Sequence, residues 1–380
     1  MAVDKTFYTG MYLSSKGTKV DTMDKLGNTP LHIAVENQDI RTLEYLIVNG
    51  ANTNIKNEID GNIPLHIAVK KNLLEIVEVL VNNQTEINAQ NFNGDTPLHF
   101  ACSCNNIKMA EYLINVGANV FLRNSRGNTP LHIAVKKGSV AMVELLVIKY
   151  ADTIVQIIGN LRNKSGKTPL HYAVLHGSNI IVNLLLSKQL DFNIPNLYGN
   201  PPLHLCCFRN NIDLLERLIN KGANINLRDK KGNSLLHIAV KCNCVNIVEV
   251  LLTKQVEVNV QNFDGSTPLH LCCFQNNIVM VELLIKAGAN IDLADNMGNT
   301  PLHTAVDHGL VEIVESYLEK EVNLNVQNMN GDTPLHRSCF RNNIKMVELL
   351  ISAGATINVG NINGDTALYI AVHNSFFEIT

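Results

Sequence analysis

The phrase Thr-Pro-Leu-His constrains this 380-residue chain more than any other feature, because it returns in register from end to end. It stands intact at 29–32, 96–99, 129–132, 168–171, 267–270, 300–303 and 333–336, with worn copies at 63–66, 201–204, 234–237 and 366–369. The closing histidine, Tyr369 in the last copy, recurs every 33 residues, except for steps of 34 from His32 to His66 and 39 from His132 to His171. A fixed period of this length calls for one supersecondary unit stacked on copies of itself. Such a chain has no single central core, and each repeat is stabilised by its neighbours.

Local chemistry gives the repeat its shape. Threonine suits a helix N-cap, where its hydroxyl accepts a hydrogen bond from a free N–H of the first turn. Proline follows at the first helical position, where its missing N–H costs nothing and its fixed φ favours the helix. A glycine stands two residues before the threonine position in every copy, from Gly27 to Gly364. Three residues before each glycine stands an acidic or amide residue, as in Asp24, Glu58, Asn91 and Asn361. Asx followed by glycine is turn chemistry, so each repeat reads as a finger-like turn feeding a capped helix. That helix stops at Gly138, Gly177 or Gly309, or at Asn72, Asn105, Asn210, Asn243, Asn276 or Asn342; both residue types tolerate a left-handed C′ position. A second helix carries apolar residues at helical spacing, as in Ile247, Val248, Leu251 and Leu252. It ends at Gly50, Gly117, Gly222, Gly288 or Gly354.

The full pattern is Asp/Asn-x-x-Gly-x-Thr-Pro-Leu-His, a small-residue helix, an Ile-Val-x-x-Leu-Leu helix and Gly-Ala-Asn/Asp. It resembles the ankyrin repeat over nearly the whole chain. The resemblance implies an all-α solenoid of L-shaped helix pairs with projecting β-turn fingers. It also implies a protein-binding scaffold that meets partners with its fingertips and the groove-facing side of its first helices. Ten full repeats span 24–57, 58–90, 91–123, 124–162, 163–195, 196–228, 229–261, 262–294, 295–327 and 328–360, with partial repeats at 1–23 and 361–380. Gly17 stands one period before Gly50, and Ser375–Thr380 matches the start of a second helix. Ends of this kind fit a segment of a longer multidomain protein, such as a channel, toxin, enzyme regulator or secreted effector.

Two departures stand out. Tyr150 occupies a glycine position, and six extra residues around 155–160 follow it. A tolerated bulge, a contact loop bearing Ile154, Val155, Ile157 and Ile158, and a break in the stack all stay open. Separately, Leu203–Ile212 returns nearly unchanged at 269–278 and 335–344, a step of 66. Alternate repeats are therefore expected to be chemically alike.

Composition narrows the function. The net charge is −3 and no basic block exists, which argues against nucleic acid as a ligand. No apolar run approaches a membrane span. Asp4 and Lys5 interrupt the N-terminus, so no secretory leader is expected. The nine cysteines mostly follow a motif histidine at positions where other repeats carry Ala or Val. They read as small core residues, and their odd number without a disulfide framework fits a reducing, cytoplasmic compartment.

Catalytic chemistry finds no constellation. His32, His66, His99, His132, His171, His204, His237, His270, His303 and His336 share one period and cannot all serve one active site. Each is expected to brace its own helix start. Gly166-Lys167-Thr168 mimics the end of a phosphate loop, but the glycine required five residues earlier is Leu161. A non-enzymatic monomer with no cofactor, metal or small-molecule ligand is expected. Glu86-Ile87-Asn88 and Glu257-Val258-Asn259 resemble the family's sites of asparaginyl hydroxylation.

What differs between repeats is what protrudes. The fingertip pairs include Ile59-Asp60, Phe92-Asn93, Ser125-Arg126, Lys164-Ser165, Leu197-Tyr198, Phe263-Asp264, Asn296-Met297 and Met329-Asn330. The groove pairs at the end of the first helix include Lys70-Lys71, Lys136-Lys137, Phe208-Arg209, Phe274-Gln275 and Phe340-Arg341. Exposed apolar side chains in a row mark interfaces, and aromatic and arginine residues are frequent anchors. Phe92, Leu197, Tyr198, Phe208, Arg209, Phe263, Phe274, Gln275, Met297, Met329, Phe340 and Arg341 are therefore the expected contact residues for a partner protein.

Overall fold

The computed structural model describes residues 19–374, the side chain of Phe274 excepted. The chain divides into two compact units, Met1–Leu197 and Tyr198–Thr380. Among the described residues both are built from paired short helices and contain no strand. In the first unit the pairs begin with Pro30–Glu36 and Ile40–Val48 and close with Pro169–His176 and Asn179–Leu186. In the second they run from Pro202–Leu205 to Pro334–Phe340 and Ile344–Ser352, followed by Ala367–His373. Within each unit successive first helices pack on one another, and each second helix packs behind its own first helix.

Helices of seven to nine residues are too short to persist alone in water. The caps and the buried faces hold them. Thr96 is extended, Pro97 opens the helix, and Thr96 Oγ1 accepts the N–H of His99 at 3.4 Å. Leu98, Ala101 and Cys102 on the first helix and Met109, Ala110 and Leu113 on the second are buried. The asparagines expected to stop the first helix all take positive φ, from 47° at Asn210 to 63° at Asn72, and Gln38 joins them at 56°.

The fingers are turns wrapped around one Asn or Asp side chain, a carboxylate at Asp24, Asp229 and Asp295 and an amide at positions such as Asn91. Asn91 Oδ1 accepts the N–H groups of Asn93 and Asp95 at 3.0 and 2.9 Å, and Asn91 N–H donates to the Asp95 carbonyl. Neighbouring fingers are stitched by backbone: Ser125 N–H donates to the Asn93 carbonyl at 2.7 Å. A Cβ on Gly94 would lie 2.7 Å from Ser125 N, which is why the turn glycine cannot be larger. The second finger corrects one expectation. Asn57, not Glu58, receives the turn N–H groups, from Asp60 and Asn62. Glu58 lies on the fingertip with its N–H on the Leu26 carbonyl. The 34-residue step is one extra residue in that finger.

The motif histidines brace two repeats, not one. In His99, Nδ1 accepts the Thr96 N–H at 3.2 Å and lies 2.8 Å from Thr96 Oγ1. Its partners fix the proton on Nε2, which donates to the Asn128 carbonyl in the next finger at 2.9 Å. His32, His66 and His132 reach Asn62, Asp95 and Lys167 in the same way. His237, His270, His303 and His336 reach Ser266, Asn299, Asp332 and Asp365. His171 has its own cap, with Thr168 N–H on Nδ1 at 3.0 Å. All ten are buried.

His204 departs from this scheme. Pro201 replaces the threonine and supplies neither N–H nor hydroxyl. His204 Nδ1 instead faces the Asn200 side chain at 3.2 Å, and Nε2–H donates to the Leu227 carbonyl. The helix lasts only from Pro202 to Leu205 and gives way to a 3-10 turn at Cys207–Arg209. The near-identical sequence at 335–344 keeps a seven-residue helix under its Thr333 cap. Alternate repeats are therefore alike in sequence but not in local structure.

The extra residues form a helix, Asp152–Asn160, and the stack is unbroken across them. Val155 and Ile158 are fully buried, whereas Ile157 is 54% exposed. Gly159 packs against Leu190, where a Cβ would come within 2.6 Å. Asn160 Oδ1 accepts Asp191 N–H at 3.0 Å, as Asn88 Oδ1 accepts Asn119 N–H at 2.8 Å in a regular repeat. At the other end of this unit Asp21 Oδ1 accepts Asn52 N–H, so residues just before the first full repeat already make the inter-repeat bond. Gly17 and Ser375–Thr380 lie outside the described residues.

Most cysteines are core residues, as expected, with corrections at two. Cys104 is exposed at a helix end and Cys242 is half-buried, while the buried Cys244 stands at the N-cap position of the helix Val245–Thr253.

Two outcomes follow. Unfolded imidazoles take a proton near pH 6.5, while burial holds His66, His132 and His237 neutral down to about 4. Between those values the unfolded chain binds more protons, so stability is complete above pH 6.5 and falls as the pH drops. The unfolding free energy from urea curves should decline from pH 7 to pH 5, by roughly 1–2 kcal/mol for each such histidine in a unit that unfolds together, lowering the midpoint; an unchanged midpoint would contradict the buried neutral state. In the extra helix, Ile158→Ala should cost about 2–4 kcal/mol and Ile157→Ala less than about 0.5 kcal/mol, read from the same urea curves. Equal small effects would mean a loop.

Candidate protein-binding surface

The fingers present apolar side chains to solvent. In the first unit Ile59 is 58% and Phe92 62% exposed, and Leu197 is exposed as well. In the second unit Tyr198, Phe263, Met297 and Met329 are exposed, joined by Ile362, which the sequence reading left out of its contact set. The fingers bearing Phe263, Met297, Met329 and Ile362 are consecutive, linked by backbone bonds such as Met329 N–H to the Met297 carbonyl at 2.9 Å. Phe92 and Phe263 lie over the glycine of the preceding finger, Gly61 and Gly232, within 2.4 and 2.7 Å of where a Cβ would be. The glycine makes a shelf for each ring, and the ring still keeps its outer face free.

The groove residues at the ends of first helices are exposed as expected: Phe208, Arg209, Gln275, Phe340 and Arg341. Phe274 lies on the helix Pro268–Gln275, but its side chain is outside those described. Several groove residues are already engaged. Gln275 Nε2 donates to the Lys241 carbonyl at 3.3 Å. Arg337 donates through Nε and an Nη to both Asp307 oxygens at 2.9 Å, and Arg341 Nε reaches the same carboxylate at 3.3 Å. The Arg337 guanidinium lies 5.5 Å from the centre of the Phe340 ring. This end of the second unit's groove is an aromatic face with its positive charge held on Asp307.

The first unit offers a different groove. Between the repeats at 91–123 and 124–162 lies a cleft of about 530 Å³. Phe100 and Ile133 form its floor, and Arg126, Lys136 and Lys137 stand on its walls. A similar cleft, with Ile67, Lys70 and Lys71, lies beside the finger at 57–62. The contact set drawn from sequence missed this floor. The signal was available, since Ile133 precedes Lys136 and Lys137 by three and four residues and so shares their helix face.

The remaining sequence candidates serve structure. Lys167 gives its carbonyl to His132 and lays its ammonium 5.4 Å from the Tyr172 ring centre. Burial pushes the Cys206 and Cys273 thiols up to about 12, which keeps them unreactive. Asn88 and Asn259 use their side chains to accept the N–H of Asn119 and Asn290 in the next repeat. Among the described residues no group of three His, Cys, Asp or Glu side chains converges to hold a metal, and no helix is long and apolar enough to cross a membrane.

A comparison with curated proteins finds no match. The family model described as ankyrin repeats (3 copies) matches residues 9–91, 83–157, 124–196, 181–262, 236–328 and 308–380. Repeats of this family are in general protein–protein interaction modules. The overlapping matches cover the chain almost from end to end, with the capped helix pairs and stitched fingers described above in each, and the chain therefore belongs to the ankyrin-repeat family.

Proposed function

We propose that the chain is a non-catalytic scaffold that binds partner proteins through its fingertips and the groove-facing ends of its first helices. The carrying observation is the contrast between shared interior and individual surface. Motif leucines such as Leu98, Leu131 and Leu269 are buried, while Phe263, Met297, Met329 and Ile362 stand exposed on consecutive fingers. A soluble surface rarely leaves such a row uncovered without a use for it. The rigid backing of stitched fingers means that little order is lost on binding. The nine free thiols, mostly buried, support placing the chain in a reducing, intracellular compartment.

The test is affinity capture with the full chain, wild type against the double variant Phe208→Ala and Phe340→Ala, read by quantitative mass spectrometry beside a thermal melt. Anchor residues should cost about 2 kcal/mol of binding or more with the melting temperature nearly unchanged. A lowered melting temperature without loss of any captured partner would make these rings packing residues.

A further inference from the structure

We propose that the cleft between the repeats at 91–123 and 124–162 docks an acidic peptide segment of a partner protein. This rests on the scaffold reading and adds the partner's chemistry. Arg126, Lys136 and Lys137 line the cleft and are exposed. None of the three has an ion-pair partner among the described residues. One carboxylate lines the cleft, Asp95, and its Oδ1 is turned to the Asn124 amide at 2.8 Å.

The fingertips change character at the same place. Earlier fingers of this unit end in Lys25-Leu26, Ile59-Asp60 and Phe92-Asn93, each with one exposed apolar side chain. The next two end in Ser125-Arg126 and Lys164-Ser165. Arg126, Lys136 and Lys137 thus set three cations beside the one carboxylate of the lining, with Lys164 on the adjoining fingertip, its N–H on the Arg126 carbonyl, in a chain whose net charge is −3. Elsewhere several of the groove's cations are met from within, as Arg337 and Arg341 are on Asp307 and Lys71 on Glu36 at 2.7 Å.

The floor selects further. Phe100 and Ile133 offer an apolar seat between the cations. A peptide with carboxylates flanking an aliphatic side chain matches both features, and about 530 Å³ holds several side chains. Single-stranded nucleic acid matches less well, because it needs aromatic platforms for successive bases along a continuous positive track, and the lining holds an acid and two rings, Phe100 and a His99 that is buried in its own hydrogen bonds.

The test pans a displayed library of short random peptides against the full chain and measures the enriched sequences by fluorescence anisotropy. Peptides with several Asp or Glu residues around a Leu, Ile or Val should emerge. Lys136→Glu combined with Lys137→Glu should weaken them about tenfold or more, and added salt should weaken them too. Peptides with Glu exchanged for Lys should regain binding to that variant, which shows that it is folded. Lys108→Glu, on the second helix of the adjoining repeat, should leave affinity unchanged. The proposal is overturned by a basic or purely apolar consensus, by acidic peptides indifferent to the lysine reversals, or by tighter binding of a single-stranded oligonucleotide. In the first two cases the scaffold reading survives; if no peptide is enriched at all, this proposal falls and the capture experiment alone decides the scaffold reading.

Discussion

One hydrogen bond sets the spacing of this molecule: the Nε2–H of a buried imidazole donating to a backbone carbonyl in the next finger. It works only because the other ring nitrogen is taken. The threonine N–H and hydroxyl both converge on Nδ1, which leaves the proton no place but Nε2. A side chain that caps its own helix thereby fixes the position of its neighbour. The carbonyl it meets also accepts the turn N–H of its own finger, as Asn299 accepts Asp295 N–H at 2.8 Å, so the imidazole clamps a closed turn; without that carbonyl the buried Nε2–H would be unpaired, at a cost of about 1–3 kcal/mol. Repetition of this unit, with bonds such as Asn119 N–H to Asn88 Oδ1 and the backbone stitch between fingers beside it, gives a stack whose stability is a sum of local junctions.

That arrangement separates two kinds of position. Inside, the residue types are few, and cysteine, alanine and valine replace one another because the space between helices is thin. Tyr317 shows the cost of a larger guest: it is fully buried at a leucine position, and its hydroxyl finds the Cys273 thiol at 3.4 Å. Outside, the residue identities are free to vary, and they vary in blocks. Apolar tips run together on the fingers from Phe263 to Ile362, while basic tips and groove lysines gather around Arg126. A surface of this kind distinguishes partners by where charge and apolar area lie, with the backbone geometry held constant.

Much of the fold was legible in the sequence because its signals are local. Threonine caps, Pro at the first helical position, and Asn or Gly at left-handed helix ends each act within a few residues, so a periodic reading places them correctly. What escaped reading was non-local. That His99 reaches Asn128 is a matter of how two repeats stack. Glu58 was misplaced because Asn57 and Glu58 are both plausible turn residues, and only the bond register of the finger separates them. The helix at 152–160 was not legible, because the burial of Val155 and Ile158 and the seating of Gly159 against Leu190 depend on how the repeats stack. Of the surface, the exposed tips were readable from position alone. The cleft floor at Phe100 and Ile133, and the capture of Arg337 and Arg341 by Asp307, depend on which side chains meet across repeats.

The most direct measurement is nitrogen NMR of the histidine side chains in the intact chain, followed from neutral to mildly acidic pH. Imidazoles that tie repeat to repeat should show the proton on Nε2 and a bare Nδ1 at neutral pH. Those of His66, His132 and His237 should remain so well below pH 6.5, since burial lowers them to about 4. Protons on Nδ1, or ordinary titration near pH 6.5 at these sites, would show that the imidazoles do not hold the stack together.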